Sequence, residues 1–148
     1  MKAQQLVEGP ERTWALVFDK GDEVKTTLER FAQQHDLTAA HFTAIGALSD
    51  VTLGYFDWER KEYREIPLEE QVEVLTLAGD VADKDGQPQV HAHLVVGRST
   101  GEARGGHLLS AHVRPTLELV LSESPAHLRK RHDEETGLAL IDVDASHD

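Results

Sequence analysis

Apolar and polar positions alternate through Thr13-Trp-Ala-Leu-Val-Phe-Asp19, which predicts a first strand with Trp14, Leu16 and Phe18 on one face and Ala15 and Val17 on the other. Gly21-Asp22-Glu23 then opens a helix. Asp22 suits the N-cap, acidic residues suit the first turn, and Val24, Leu28 and Phe31 recur at helical spacing up to His35. This helix should cover one sheet face. From Ala39 the chain reads almost continuously as strand, over 40–47, 50–57, 62–67, 72–81, 89–97, 103–108 and 116–122. Trp58-Glu-Arg-Lys61 and Lys84-Asp-Gly-Gln87 carry hairpin chemistry, since Asp85-Gly86 tolerates positive φ where the chain reverses. Gly46, Gly54 and Gly79 fall inside strand patterns and predict bulges or tight packing. A short helix over 125–135 and a last strand over 138–143 complete an α+β fold, a mostly antiparallel sheet packed against one main helix. Fraying is expected over about 1–10 and 144–148.

The chain of 148 residues suits a single domain spanning 1–148, long enough to bury a core without disulfides. It contains no cysteine, so a thiolate metal site is excluded and any metal must be held by histidine or carboxylate. Residues 1–10 are too polar for a signal peptide, and no segment approaches the ~20 apolar residues that cross a bilayer, so a soluble, cytoplasmic protein without membrane contact is expected. The net charge of −12 argues against nucleic acid as a partner, because duplex binding needs a surplus of cations to displace counterions. Arg129-Lys130-Arg131 is a local exception, cancelled at once by Asp133-Glu134-Glu135 and read as a solvated helical face. No glycine-rich loop joins a strand to a helix as a phosphate cradle, and no Gly-x-Ser-x-Gly elbow occurs. Ser110 and His112 form a pair without an evident orienting acid.

The strongest chemical signal is Val90-His-Ala-His-Leu-Val-Val96, followed by Gly105-Gly106-His107. Residues i and i+2 of a strand project from one face about 6.6 Å apart, so His91 and His93 can converge on one ion, with His107 supplied by a neighbouring strand. Three neutral imidazoles suit zinc first, with iron or nickel as alternatives, and leave positions open for water or a ligand. The competing reading is a set of half-buried histidines hydrogen-bonded to neighbouring carboxylates or carbonyls. A cupin would carry a glutamate shortly after His-x-His, and a histidine-triad hydrolase a third alternating histidine; Leu94-Val-Val-Gly-Arg98 supplies neither.

Several ordered blocks resemble the plant and prokaryote conserved domain (PPC or PCC, DUF296), a family also found behind AT-hooks in plant nuclear proteins. They are Ala44-Ile-Gly-Ala47, Val51-Thr-Leu-Gly-Tyr-Phe-Asp57, Val72-Glu-Val-Leu-Thr-Leu-Ala-Gly79, the Asp85-Gly86 turn before Val90-His-Ala-His-Leu94, and Gly105-Gly-His107. The resemblance implies an antiparallel sheet with one main helix, assembled as a homotrimer, and a metal site that carries over to His91, His93 and His107. Glu73 and Glu118 match acidic positions of the prokaryotic pattern, which makes them the candidates for a catalytic or ligand-orienting carboxylate. The alternative for either is a rim carboxylate paired with Arg98, Arg104 or Arg114. The sequence departs from plant members in having no Arg-Gly-Arg-Pro hook, and Val72 stands where a phenylalanine is expected.

Three functions follow as expectations. The first is a metal-dependent protein that binds or acts on a small molecule at a trimer-interface pocket. The second is a DNA-associated regulator, disfavoured by charge, and the third a trimeric scaffold for protein partners.

Overall fold

Asp85 and Gly86 take φ of 55° and 80°, the two positive values of a tight hairpin turn, and the frame of the sheet is counted outward from them. The turn joins β5 (Val72–Lys84) to β6 (Gln87–Gly97), pairing Lys84 with Gln87, Asp80 with His91 and Ala78 with His93. The computed structural model describes residues 1–146. Before this hairpin come β1 (Lys2–Val7), β2 (Thr13–Phe18), α1 (Val24–Gln34), β3 (Ala39–Asp57) and β4 (Glu62–Leu68). After it come β7 (Ala103–Glu123), β8 (Lys130–His132) and β9 (Ala139–Ile141).

Two long strands organise the sheet. β3 has 19 residues and β7 has 21, where the sequence pattern predicts two separate strands in each. Polar or glycine positions interrupt the apolar alternation without ending the pairing: β3 shifts register between Ala44 and Gly46 and runs on through Ser49-Asp50. A Cβ at Gly46 would meet the Thr116 carbonyl oxygen at 2.4 Å, so glycine is required where the strands bend together. All the strand pairs of this sheet are antiparallel, and β3–β5, β5–β6, β6–β7 and β7–β3 close a circuit. Leu16, Phe18, Phe42, Leu53, Leu77, Leu94, Leu119 and Leu121 fill the interior, and α1 adds Val24, Leu28, Phe31 and Ala32. Phe31 meets Trp14 edge-on at 5.2 Å between ring centroids.

The structure corrects five expectations. Glu23, not Asp22, caps α1: its carboxylate accepts from the Lys25 and Thr26 amides at 3.3 and 2.7 Å, whereas Asp22 accepts from the Asp19 amide and closes the preceding turn. Residues 2–7, expected to fray, form β1 against β2, with Ala3 opposite Leu16. No helix forms over 125–135. That segment carries β8, which pairs with β9 across a turn in which Asp133 Oδ1 accepts from the Thr136 amide at 2.7 Å. Arg129-Lys130-Arg131 is therefore not a helical face, and Lys130 is buried. At the other end, Ser146 Oγ accepts from the Arg129 amide at 3.0 Å, so residues 144–146 are tied down, while 147 and 148 lie outside the described residues.

Candidate metal centre

His91 and His93 stand on one face of β6, and His107 on β7 is in direct register with His93. The geometry follows from two sequence features: the period of two along a strand, and a β6–β7 pairing that begins at Ala103 opposite Gly97. Each pair of rings has centroids 5.2 Å apart. One ring nitrogen from each of the three lies within 4.8 Å of the other two, so these residues form a group able to hold a metal ion.

The electrostatics favour the neutral form of His93 and His107. Burial, then the positive potential of His91, His93, Lys25 and Lys130, pushes the His107 pKa down to about 4. Burial, followed by the neighbouring His91, lowers His93 as well. His107 Nδ1 is buried without a hydrogen-bond partner, a costly condition that coordination of an ion by the ring would offset. Tyr63 of β4 stacks on His107 with ring centroids 4.5 Å apart and planes inclined by 26°, and burial raises its phenol pKa. Convergent imidazoles, one of them with a buried unpartnered nitrogen, fit a divalent ion.

Asp80 is the carboxylate that the sequence reading missed. Its Oδ2 lies 3.4 Å from His91 Nδ1 and its Oδ1 lies 2.8 Å from Lys130 Nζ, an ion pair set off the ideal hydrogen-bond axis. Burial pushes the Asp80 carboxyl up, but the contacts with His91 and Lys130 together outweigh it and hold the group below the usual carboxylate range. A signal for it existed. Counting four rungs outward from Lys84 and Gln87 across the Asp85-Gly86 turn puts Asp80 opposite His91.

Glu73 and Glu118 occupy other places. Glu73 pairs with Gly97 at the far end of the hairpin, and Glu118 with Val17 and Ile45 at the opposite end of β7 from His107. Both side chains are exposed, so neither needs the buried partner that an acid on an apolar strand suggests. Of the proposed arginine partners, Arg98 pairs instead with Glu70 and Glu102, at 2.6 and 2.7 Å. His112 does have an orienting acid, Asp50 at 2.8 Å, but Ser49 Oγ donates to that same carboxylate, so the group has no hydroxyl directed at the imidazole.

A cavity of about 170 Å³ opens beside the histidines. His91, His107, Tyr63, Gln89, Lys25 and Lys130 form its polar wall, while Val90 and the β8–β9 hairpin residues Leu138, Ala139 and Leu140 form an apolar one. Among the described residues no helix is long and apolar enough to cross a membrane.

Fold and site together define an antiparallel β protein with one main helix and a three-imidazole centre at the edge of a small cavity. The chain belongs to the Plants and Prokaryotes Conserved (PCC) domain family, whose model matches residues 6–125. It is similar to a metal-containing protein from Archaeoglobus fulgidus, at 36% identity and a TM-score of 0.82, covering 95% of this chain and 99% of that one. A plant- and prokaryote-conserved protein from Pyrococcus horikoshii shares 35% identity at a TM-score of 0.84, covering 88% and 91%. A candidate DNA-binding protein from Ralstonia eutropha shares 30% at a TM-score of 0.82, covering 88% and 90%. The bifunctional protein GlmU of a Synechococcus strain is 34% identical over 146 residues, 97% of this chain, but the chain spans only 22% of the length of that curated relative.

Proposed function

We propose that the chain is a metal-binding protein of the PCC family that takes up a small molecule beside a zinc ion held by His91, His93 and His107. The convergence of the three ring nitrogens within 4.8 Å carries this reading. The similarity to the metal-containing Archaeoglobus protein supports it. Zinc suits an all-imidazole set, with iron and nickel next in order. Bound there, a divalent ion supplies Lewis-acid polarisation of a ligand oxygen. Asp80 holds the His91 ring and keeps Lys130 in place, Tyr63 fixes the plane of His107, and Leu138 and Leu140 give the cavity an apolar wall.

Self-association into a homotrimer is part of the proposal. Val17, Ile45 and Val120 are 39%, 61% and 50% exposed, and they sit on adjacent strands around Glu118. An apolar strip of this kind on a sheet face favours burial against a second copy. Across the sheet, Val120 pairs with Thr43, Thr43 with Ala78 and Ala78 with His93, so a covering subunit would approach the histidines.

The test is the metal content of chelator-free protein beside the His91→Ala/His93→Ala double variant. About one ion per subunit, lost in the variant, is the expected result. Stoichiometric metal retained by the variant would remove the assignment. A DNA-associated role draws support from the Ralstonia relative, and the net charge of −12 opposes it. Micromolar, salt-sensitive duplex binding would reverse that preference.

A further inference from the structure

The cavity beside the histidines has a charge pattern that runs against the rest of the molecule. The chain carries 27 acidic residues against 15 lysines and arginines, yet among the described residues no carboxylate lines this cavity and two lysines do. Lys130 is already matched by Asp80 at 2.8 Å. Lys25 is not: its backbone amide donates to Glu23, but among the described residues its ammonium has no ion-pair partner within 4.0 Å. A half-buried, unmatched cation facing a half-open cavity favours an anion there.

The centre adds to the imbalance. Imidazoles coordinate an ion as neutral ligands, so three of them leave the charge of a divalent ion uncompensated, and Asp80, the carboxylate at the site, is engaged by His91 and Lys130. An uncompensated charge of that size favours an anionic ligand from outside the chain. Shape narrows the choice. The cavity is small, about 170 Å³. One wall is made of Val90, Leu138, Ala139 and Leu140, which a fully polar ion such as phosphate would leave wetted at a cost, whereas a short carbon chain would cover it.

We infer that the cavity receives a short-chain aliphatic carboxylate, with the anionic head between Lys25 Nζ and the histidine centre and the carbon tail against Leu138 and Leu140. The Lys25 half of this grip stands on the cavity alone, and the other half rests on the metal reading above. Lys25 acts as a binding residue that selects for charge, with no part in holding the metal.

The experiment is titration calorimetry of zinc-equilibrated full chain with isobutyrate, its neutral isostere isobutyramide, and inorganic phosphate. The wild type is run beside Lys25→Met and Lys25→Arg, with the metal content of every sample measured. Isobutyrate should bind and isobutyramide should not. Lys25→Met should weaken isobutyrate about tenfold or more at unchanged metal content, and Lys25→Arg should restore most of the loss. Equal binding of acid and amide, an unchanged affinity in Lys25→Met, or no binding to a metal-loaded chain overturns the inference and leaves the metal centre standing. Tighter binding of phosphate than of isobutyrate overturns the carboxylate class. A chain that holds no zinc yet binds isobutyrate in a Lys25-dependent way removes the metal reading and keeps the anion site. Absence of both removes both.

Discussion

Lys130 Nζ lies 2.8 Å from Asp80 Oδ1 with only 2% of the lysine side chain exposed, so a residue from the C-terminal hairpin delivers a buried charge to the strand that backs the histidine centre. Removing one member of such a pair leaves the other unmatched. Asp80→Asn should therefore lower stability by about 3 kcal/mol in urea unfolding. Because Asp80 also faces His91, the same variant should weaken metal binding by roughly tenfold. A stability change below about 0.5 kcal/mol would show that the pair is dispensable.

Gly79 is packed so closely that an added Cβ would meet the His91 carbonyl oxygen at 2.3 Å and Phe42 Cζ at 2.6 Å. Gly79→Ala should force β6 away from β5 beside His91, costing about 1–3 kcal/mol and, if the three histidines hold an ion, reducing metal retention after dialysis. Gly101→Ala is the control for stability alone, since nothing lies within 4 Å of its Cβ and only its φ of 84° is strained. A Gly79→Ala protein with full metal content and an unchanged unfolding midpoint would contradict the close packing.

The His112–Asp50 pair gives the protein a pH signature separate from the three-histidine cluster. The hydrogen bond that protonated His112 donates to the Asp50 carboxylate raises the His112 pKa; burial opposes it, and the charges of Asp50 and then Glu23 add to the rise. Burial pushes the Asp50 carboxyl up, but the hydrogen bonds from His112 and Ser49 and the charge of His112 together bring it below its ordinary value. Stability from a raised histidine is complete below its ordinary 6.5 and fades as pH climbs through the raised value. Stability from a lowered aspartate is complete above 3.8 and is lost as pH falls through the lowered value. The pair thus contributes most between those two limits. His112→Gln should melt below the wild type at about pH 6, with the gap closing by about pH 9. A gap that is constant across that range would assign the loss to packing.

If the strip around Glu118 joins copies of the chain, Ile45→Glu should shift the light-scattering mass from trimer to monomer, because it adds a charge to an apolar contact beside an existing carboxylate. Glu118→Gln should leave metal content unchanged, since Glu118 lies at the far end of β7 from His107. A wild type of monomer mass would refute the assembly. Loss of metal in Glu118→Gln would restore that residue to the site.

Much of this was legible in the sequence, for identifiable reasons. Period-two alternation marks half-buried strands, so β2, β5 and β6 and the shared face of His91 and His93 could be placed from residues alone. Alternation says nothing about pairing across polar interruptions, which is why β3 and β7 each read as two strands. The charged run through Glu135 resembles a helix surface, but Gly137 at φ 75° and the Asp133 turn reverse it into a hairpin. Asp80 escaped notice because its partners, His91 and Lys130, are reached through strand register and a distant hairpin. Glu73 and Glu118 were carried by family pattern, and position on the sheet separates both from the histidines.

His93 and His107 face each other across one rung of the β6–β7 ladder. A single-residue insertion between Gly105 and His107 would leave a β-strand that still pairs, but it would turn the third imidazole to the other face of the sheet. The centre therefore acts as a gauge of alignment. Among homologues and designed variants, length changes in the loop from Arg98 to Glu102 can be absorbed before the ladder begins, whereas length changes within the five paired rungs from Ala103 to His107 erase the site in one step.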